Sequence, residues 1–131
     1  MICCGLLAVP AAVAKDFRPG DLRVCGRDRC VPLVEKSVLR AVNGFYWGSG
    51  SVARAPRVRV GSPGFTLRFR NGYTTGIVAG PKLGRFQSYG VICERFQYGR
   101  WYRFPLRAGL ALRRLTAHLR PVRVPRPPYS C

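Results

Sequence analysis

The spacing of hydrophobic positions predicts two helices. Over residues 34–46 apolar side chains recur every three or four positions, the period of a helix face, and Glu35 lies in the first turn, where the helix dipole favours an acid. Residues 105–119 repeat the pattern. Pro105 opens that segment, at a position where proline's missing N–H costs nothing, and Pro121 ends it. Each segment therefore predicts an amphipathic helix with one buried stripe.

Alternating apolar and polar positions predict strands in the rest of the chain. In residues 65–70 every second side chain is apolar, and Asn71-Gly72 after them predicts a two-residue type I′ turn. The register of that turn gives the pairs Phe65–Val78, Arg68–Thr75 and Arg70–Tyr73. The same period predicts a hairpin over residues 21–33 and further strands over residues 57–60, 88–96, 100–104 and 122–124.

The order of these elements predicts the fold class. A hairpin, a helix, several strands, a second helix and a short strand indicate an α+β fold. We expect a small single domain, with an antiparallel sheet of hairpins and two helices packed on one face. The 131 residues suit one domain, and a core of that size is modest enough for disulfides to add useful stability.

The first fourteen residues are uncharged and apolar, and they end in Ala12-Val13-Ala14, small residues of the kind that signal peptidase recognises. The run is shorter than the roughly 20 residues that span a bilayer. We therefore predict a signal peptide over residues 1–14, a domain over 15–120, a Pro- and Arg-rich tail over 121–131, and a secreted or envelope-associated protein. No basic residue precedes the apolar run, which leaves open whether Met1 is the true start.

Removal of residues 1–14 would leave four cysteines, which in an exported chain predict disulfides. Cys25 and Cys30 bracket a short turn, so a staple between them is the first expectation. Cys93 with Cys131 is then the remaining possibility, and the sequence leaves that pairing open. A zinc site would need four N or S ligands at short paired spacings, and the chain offers one such pair and one histidine. We predict structural disulfides, no metal and no cofactor.

Positive charge distinguishes this sequence, because 23 Lys and Arg oppose 5 Asp and Glu, for a formal net charge of +18. Such a surface attracts polyanions, among them nucleic acid, anionic lipid and the acidic polymers of a cell envelope. For an exported protein an envelope or extracellular polymer fits better than nucleic acid. Nearly all of the cations are arginine, however, which a GC-rich genome also favours. The sequence leaves open whether the excess is functional or compositional.

Few residues suit catalysis. His118 is the only histidine and borders the apolar stripe of the second predicted helix, where a structural role at the helix end suffices. Glu94 is a lone acid beside Arg95 in an apolar strand, which is typical of a structural ion pair. The chain has no Gly-x-Ser-x-Gly elbow and no P-loop. We name no catalytic residue and predict that the protein is not an enzyme.

Arginine and aromatic side chains instead predict a binding surface on the outer face of the sheet. Guanidinium groups match phosphate and carboxylate geometry, and aromatic rings between them could stack on sugars or bases. The first hypothesis is a non-enzymatic domain that binds an anionic polymer. The alternatives are a small envelope hydrolase or an enzyme inhibitor, and a cationic antimicrobial or toxin-like protein. The candidate ligand-binding residues are Arg57, Arg59, Arg68, Arg70, Tyr73, Trp101 and Arg103.

Three segments, Phe65–Tyr73, Gly76–Ala79 and Ser88–Gly90, resemble uncharacterised small secreted proteins of high-GC actinobacteria. The resemblance extends over most of the chain that follows residue 14. It implies a bacterial source and an exported location, and it implies no activity.

Overall fold

A computed structural model describes residues 16–47, 53–88 and 100–126 of the protein. Its elements, in chain order, are β1 (Leu22–Cys25), β2 (Cys30–Pro32), α1 (Lys36–Trp47), β3 (Pro63–Phe69), β4 (Thr74–Ala79), a 3-10 turn (Pro81–Leu83), β5 (Arg85–Ser88), β6 (Trp101–Arg103), α2 (Leu106–Leu115) and β7 (Val122–Arg123). Within the described residues seven strands form one antiparallel sheet, in the order β2-β1-β3-β4-β5-β6, with β7 beside β3. The predicted α+β single domain is confirmed.

One long strand, β3, organises the sheet. On one side it pairs with β4, and on the other side it pairs with two strands that lie end to end. β1 lies opposite residues 66–69, and β7 lies opposite Pro63 and Gly64. The first and last strands of the described chain are therefore neighbours.

Both helices pack on one face of the sheet, as predicted. The main core combines inward side chains of β1, β3, β4, β5 and β6 with the apolar stripes of α1 and α2. Phe45 of α1 lies at the centre of an aromatic cluster. Its ring stacks on Phe86 with centroids 5.1 Å apart and on Tyr102 with centroids 5.5 Å apart, and it meets Phe104 edge-on at 5.2 Å. These contacts attach α1 to the β5–β6 half of the sheet.

The opposite face of the sheet carries a second, smaller core. Ile77, Ala79 and Trp101 point away from the helices and are covered by Val58 and Val124. Residues 53–60 cross this face, and they also cover the edge of β6, since the Ala55 N–H donates to the Trp101 carbonyl at 2.9 Å.

The predicted strand over residues 57–60 is wrong, because this segment forms no ladder. Its alternation has another cause: Val58 is inserted into the second core while Arg57 and Arg59 remain exposed. The central strands beneath it are already hydrogen-bonded on both sides, so residues 57–60 lie across the sheet rather than within it. The alternation of apolar and polar residues in this segment therefore reflects the burial of one side of an irregular stretch of chain.

The β3–β4 hairpin keeps its predicted core register but not its predicted turn. Phe65 pairs with Val78, as expected. The loop has three residues, because the Gly72 N–H donates to the Phe69 carbonyl at 2.9 Å and Gly72 alone takes a positive φ, of 95°. Asn71 instead accepts a hydrogen bond through Oδ1 from the Tyr73 N–H at 3.1 Å. The geometry is that of a type I turn followed by a glycine bulge.

A second irregularity changes the predicted partner of Arg68. A β-bulge places Arg68 opposite Thr74 rather than Thr75, so the predicted Arg68–Thr75 pair is wrong. Thr75 is buried and contacts Tyr46 of α1, whose hydroxyl bonds to both its carbonyl and its side chain. The extra residue of the bulge is therefore used to connect the sheet to α1.

The predicted hairpin over residues 21–33 is present and is closed by the predicted Cys25–Cys30 disulfide. Its loop docks on the chain that follows α2, where the Arg27 N–H donates to the Arg120 carbonyl at 2.8 Å. Gly26 allows this approach, since a Cβ there would lie 2.4 Å from the same carbonyl oxygen. Cys93 and Cys131 lie outside the described residues.

The remaining boundaries differ by a few residues. β5 begins at Arg85, three residues before the predicted start at Ser88, and residues 89–99 lie outside the described part of the chain. The predicted strands over 100–104 and 122–124 are present as β6 and β7. Val124 is 2% exposed, so the packed structure continues past residue 120. The predicted signal peptide and most of the predicted tail lie outside the described ranges. Among the described helices, none has the length and apolarity to cross a membrane.

Candidate functional site

The predicted ligand-binding residues do not form one site. Arg68, Arg70 and Tyr73 lie at the turn end of the β3–β4 hairpin. Arg57, Arg59 and Arg103 lie at its other end, around the loop between β4 and β5. Six strand residues at roughly 3.3 Å each put the two groups about 20 Å apart. Trp101 belongs to neither group, because its side chain is 5% exposed and packs in the second core.

At the turn end the arginines are partly engaged by the protein itself. Arg70 donates through Nε to the Gly20 carbonyl at 3.0 Å, and Arg68 donates through Nε to Thr66 Oγ1 at 3.3 Å. Arg68 also lies directly opposite Arg23 across the β1–β3 pair. Tyr73 is 71% exposed and is the aromatic ring that this group presents to solvent.

The other group is built around the short loop Gly80–Gly84, which adopts an unusual backbone. Gly80, Lys82 and Leu83 all have positive φ, of 82°, 57° and 53°. For a residue with a Cβ this conformation costs roughly 1–2 kcal/mol. The loop is held by hydrogen bonds, among them one from the Phe104 N–H to the Gly84 carbonyl at 2.8 Å. Strain maintained in this way is concentrated at binding and active sites.

Two cavities lie on either side of this loop. The helix-side cavity, of about 310 Å³, lies between the loop and α2 and is lined by Pro81, Lys82, Gly84, Arg85, Arg103, Phe104, Pro105, Leu106, Gly109, Leu110 and Arg113. The back-face cavity, of about 300 Å³, is lined by Arg57, Val58, Arg59, Ser62, Pro63, Gly80, Pro81 and Arg85. Pro81 and Arg85 line both. We call the two cavities together the cationic cleft.

Arg85 is the residue that connects the two cavities. Its guanidinium donates through Nη1 to the Pro56 carbonyl at 3.3 Å, and its aliphatic stem lies against Gly80, where a Cβ would be 2.9 Å from Arg85 Cδ. Across the β5–β6 ladder Arg85 is the direct partner of Arg103. Like charges in that position repel and destabilise a sheet by up to about 1 kcal/mol. An anion bound between them would relieve the repulsion.

The electrostatic character of the cleft is uniform. Six cationic residues line it, namely Arg57, Arg59, Lys82, Arg85, Arg103 and Arg113, and no acidic side chain is among its described lining residues. The ion pair between Arg120 and Asp28, at 3.3 Å and well exposed, lies beyond the other end of α2. Guanidinium groups gathered without acids are suited to binding carboxylate or phosphate oxygens.

Sequence reasoning missed three of the six cationic residues of the cleft. A predicted strand that began at residue 85, where β5 begins, would have placed Arg85 by its period of two on the outer face of the sheet with Arg103. Arg113 lies on α2 four residues after Gly109, so its side of the helix follows from the helical period. Lys82 carried no signal beyond the glycines that flank its loop.

Groups suited to other chemistry are scarce in the described residues. There, no cluster of three or more His, Cys, Asp or Glu residues is placed to hold a metal ion. His118 is exposed after the end of α2, and its carbonyl accepts a hydrogen bond from Arg29 Nη2 at 3.0 Å. Glu94 lies outside the described ranges. Comparison with known proteins adds no candidate, because no protein-family model, curated protein or solved structure matches the chain.

Proposed function

We propose that this protein is a secreted, non-catalytic binding domain that holds an anionic polymer of the cell envelope or extracellular space in the cationic cleft. The observation that carries the proposal is the gathering of six cations around one strained loop with no acid among the described lining residues. The proposal moves the binding surface from the broad sheet face to one end of the β3–β4 hairpin.

The distribution of acids argues against an excess of arginine that is compositional only. The described acidic residues, Asp16, Asp21, Asp28 and Glu35, all precede α1, whereas the described lining of the cleft comes from residues 57–85 and 103–113. A drift in composition changes which residues are encoded and gives no reason for acids to be missing from the described lining of the cleft. Segregation of charge of this kind is what steers a polyanion to one surface.

The continuity of the cleft favours a ligand with repeating charges. Because Arg85 lines both cavities, a polymer that lies across the loop Gly80–Gly84 can contact Arg57 and Arg59 on one side and Arg103 on the other. Each phosphate or carboxylate neutralised would release a counterion, so affinity is expected to fall with rising salt.

The test is binding of the full, oxidised chain to polyphosphate, a polyuronate and double-stranded DNA in a salt series. We expect one polymer class to remain bound near physiological salt while the others dissociate. Replacing both arginines of the pair, Arg85→Gln with Arg103→Gln, should weaken binding at least tenfold and lower the slope of log affinity against log salt by about two.

A matched control removes the same charge elsewhere. The double variant Arg40→Gln with Arg114→Gln changes two exposed helix arginines outside the cleft and should lose far less affinity. A third double variant, Arg68→Gln with Arg70→Gln, probes the turn end. If the three double variants lose affinity equally, net charge alone drives binding and the cleft is not the site. If the Arg68→Gln, Arg70→Gln variant loses the most affinity, the site lies at the turn end of the hairpin instead.

A further inference from the structure

The helix-side cavity has a feature that an entirely polar ligand would not use: one of its walls is apolar. Leu106 and Leu110 lie one helical turn apart on α2 and are 75% and 42% exposed. Phe104 and Pro105 continue the wall toward the sheet. Paired leucines left in water at a cavity mouth mark a site that buries apolar surface of a ligand.

The rest of the cavity rim is cationic. Lys82 comes from the strained loop, Arg103 from β6 and Arg113 from the last turn of α2, so three separate elements contribute cationic residues to the lining of one cavity. The back-face cavity differs, since Val58 is the large aliphatic side chain among its lining residues and is 5% exposed. The two halves of the cleft therefore differ in the apolar surface that they expose.

We infer that the helix-side cavity binds a single-chain amphiphile of the alkyl phosphate class, with its head group against Lys82, Arg103 and Arg113 and its alkyl chain along Leu106 and Leu110. This inference concerns a small ligand and does not rest on polymer binding.

The size of the cavity limits what it can hold. About 310 Å³ is the liquid volume of roughly ten water molecules. That space suits a phosphate group and the first several carbons of a chain. Gly109 contributes to the space, because it lies in the middle of α2, where glycine is otherwise unfavourable, and it lines the cavity without a side chain.

The direct test is calorimetric titration of the full chain with octyl phosphate below its micelle concentration, at 150 mM salt. Inorganic phosphate and octyl glucoside serve as probes of the head group alone and of the chain with an uncharged head. Octyl phosphate should bind at least tenfold more tightly than either. In the series from butyl to octyl phosphate, each methylene should tighten binding up to about fourfold until the wall is covered.

Matched variants locate the site. Leu106→Gln with Leu110→Gln should abolish the dependence on chain length, whereas the control Val34→Gln with Val60→Gln changes two other exposed apolar residues, outside the cavity, and should preserve it. Arg113→Gln should weaken octyl phosphate about tenfold, and Arg114→Gln, one residue along the same helix, should not.

Several results would overturn the inference. One is octyl phosphate binding no tighter than inorganic phosphate; another is octyl glucoside binding as tightly as octyl phosphate. Equal losses in the leucine double variant and its valine control would be a third. Binding to vesicles of anionic lipid without binding to the monomeric amphiphile would identify a membrane surface as the target instead. Because the leucine variant keeps every cation, polymer binding should survive in it, and the two proposals can fail separately.

Discussion

Gly76 of β4 lies against a neighbouring ring and the next strand, and adding one methyl group there tests the described core directly. A Cβ at this position would lie 2.6 Å and 2.7 Å from two ring carbons of Phe86 and 2.8 Å from the Gln87 carbonyl oxygen. Phe86 cannot easily withdraw, since it is fully buried and stacked on Phe45. The carbonyl belongs to the neighbouring strand, which the ladder holds in place.

We expect Gly76→Ala to lower the free energy of unfolding by about 2 kcal/mol, within the 1–3 kcal/mol typical of overpacked cores. For a domain of this size that corresponds to a fall in Tm of roughly 6–8 °C. Gly109→Ala is the matched control, because its Cβ would lie 3.5 Å from the Lys82 carbonyl oxygen, an ordinary contact, and alanine favours the helix by about 0.5–1 kcal/mol.

The assay is urea unfolding of the oxidised chain, followed by circular dichroism, with both variants and the original protein in one buffer. The two alanine variants should move the midpoint in opposite directions. If Gly76→Ala unfolds at the original midpoint or above it, the close contact between β4 and Phe86 does not exist, and the described register of β4 and β5 is wrong.

Three further perturbations test other parts of the fold. Serine at both Cys25 and Cys30 should cost about 2 kcal/mol by the loop-entropy model, measured by calorimetry, and an unchanged Tm would show that the staple adds nothing. Phe45→Ala should cost about 3–5 kcal/mol in urea unfolding, with Phe45→Leu losing distinctly less, because the cavity left by the ring would be only partly filled by the smaller side chain. Tyr46→Phe removes the hydroxyl that bonds to Thr75 and should lower the free energy of unfolding by about 1 kcal/mol; equal urea midpoints would mean that this hydrogen bond does not stabilise the fold.

The elements were predictable where local pattern decides them. The faces of residues 65–70 follow from period two, and the short spacing of Cys25 and Cys30 pointed to their disulfide. The turn at Asn71-Gly72 was predicted in the right place with the wrong geometry. The three-residue loop that forms is accompanied by a β-bulge at Arg68, and Thr75 near that bulge contacts Tyr46 of a helix distant in sequence.

The cleft could not be predicted because its residues are brought together by tertiary structure. Arg85 and Arg103 meet only after β5 and β6 pair, and Arg57 reaches the same region because residues 53–60 cross the back of the sheet. The left-handed backbone of Lys82 and Leu83 contradicts the local preference of both residues, so no propensity argument indicates it. Trp101 shows the converse: an aromatic residue expected to be exposed is buried because that segment covers it.

The position of β1 and β7 along one edge of β3 has a consequence for how the chain acquires its structure. β3 is flanked by partners from the beginning and from the end of the described sequence, and the β1–β2 loop contacts Arg120. Strand pairings between residues so distant in sequence form slowly, because the chain loses conformational entropy before the stabilising contacts are made. A nascent chain can form the β3–β4 hairpin and α1 early, but the edge of β3 stays open at Pro63 and Gly64 until residues 122–123 have been synthesised. We therefore expect a fragment that stops before residue 119 to remain open at that edge, where β3 presents an unpaired backbone to other chains.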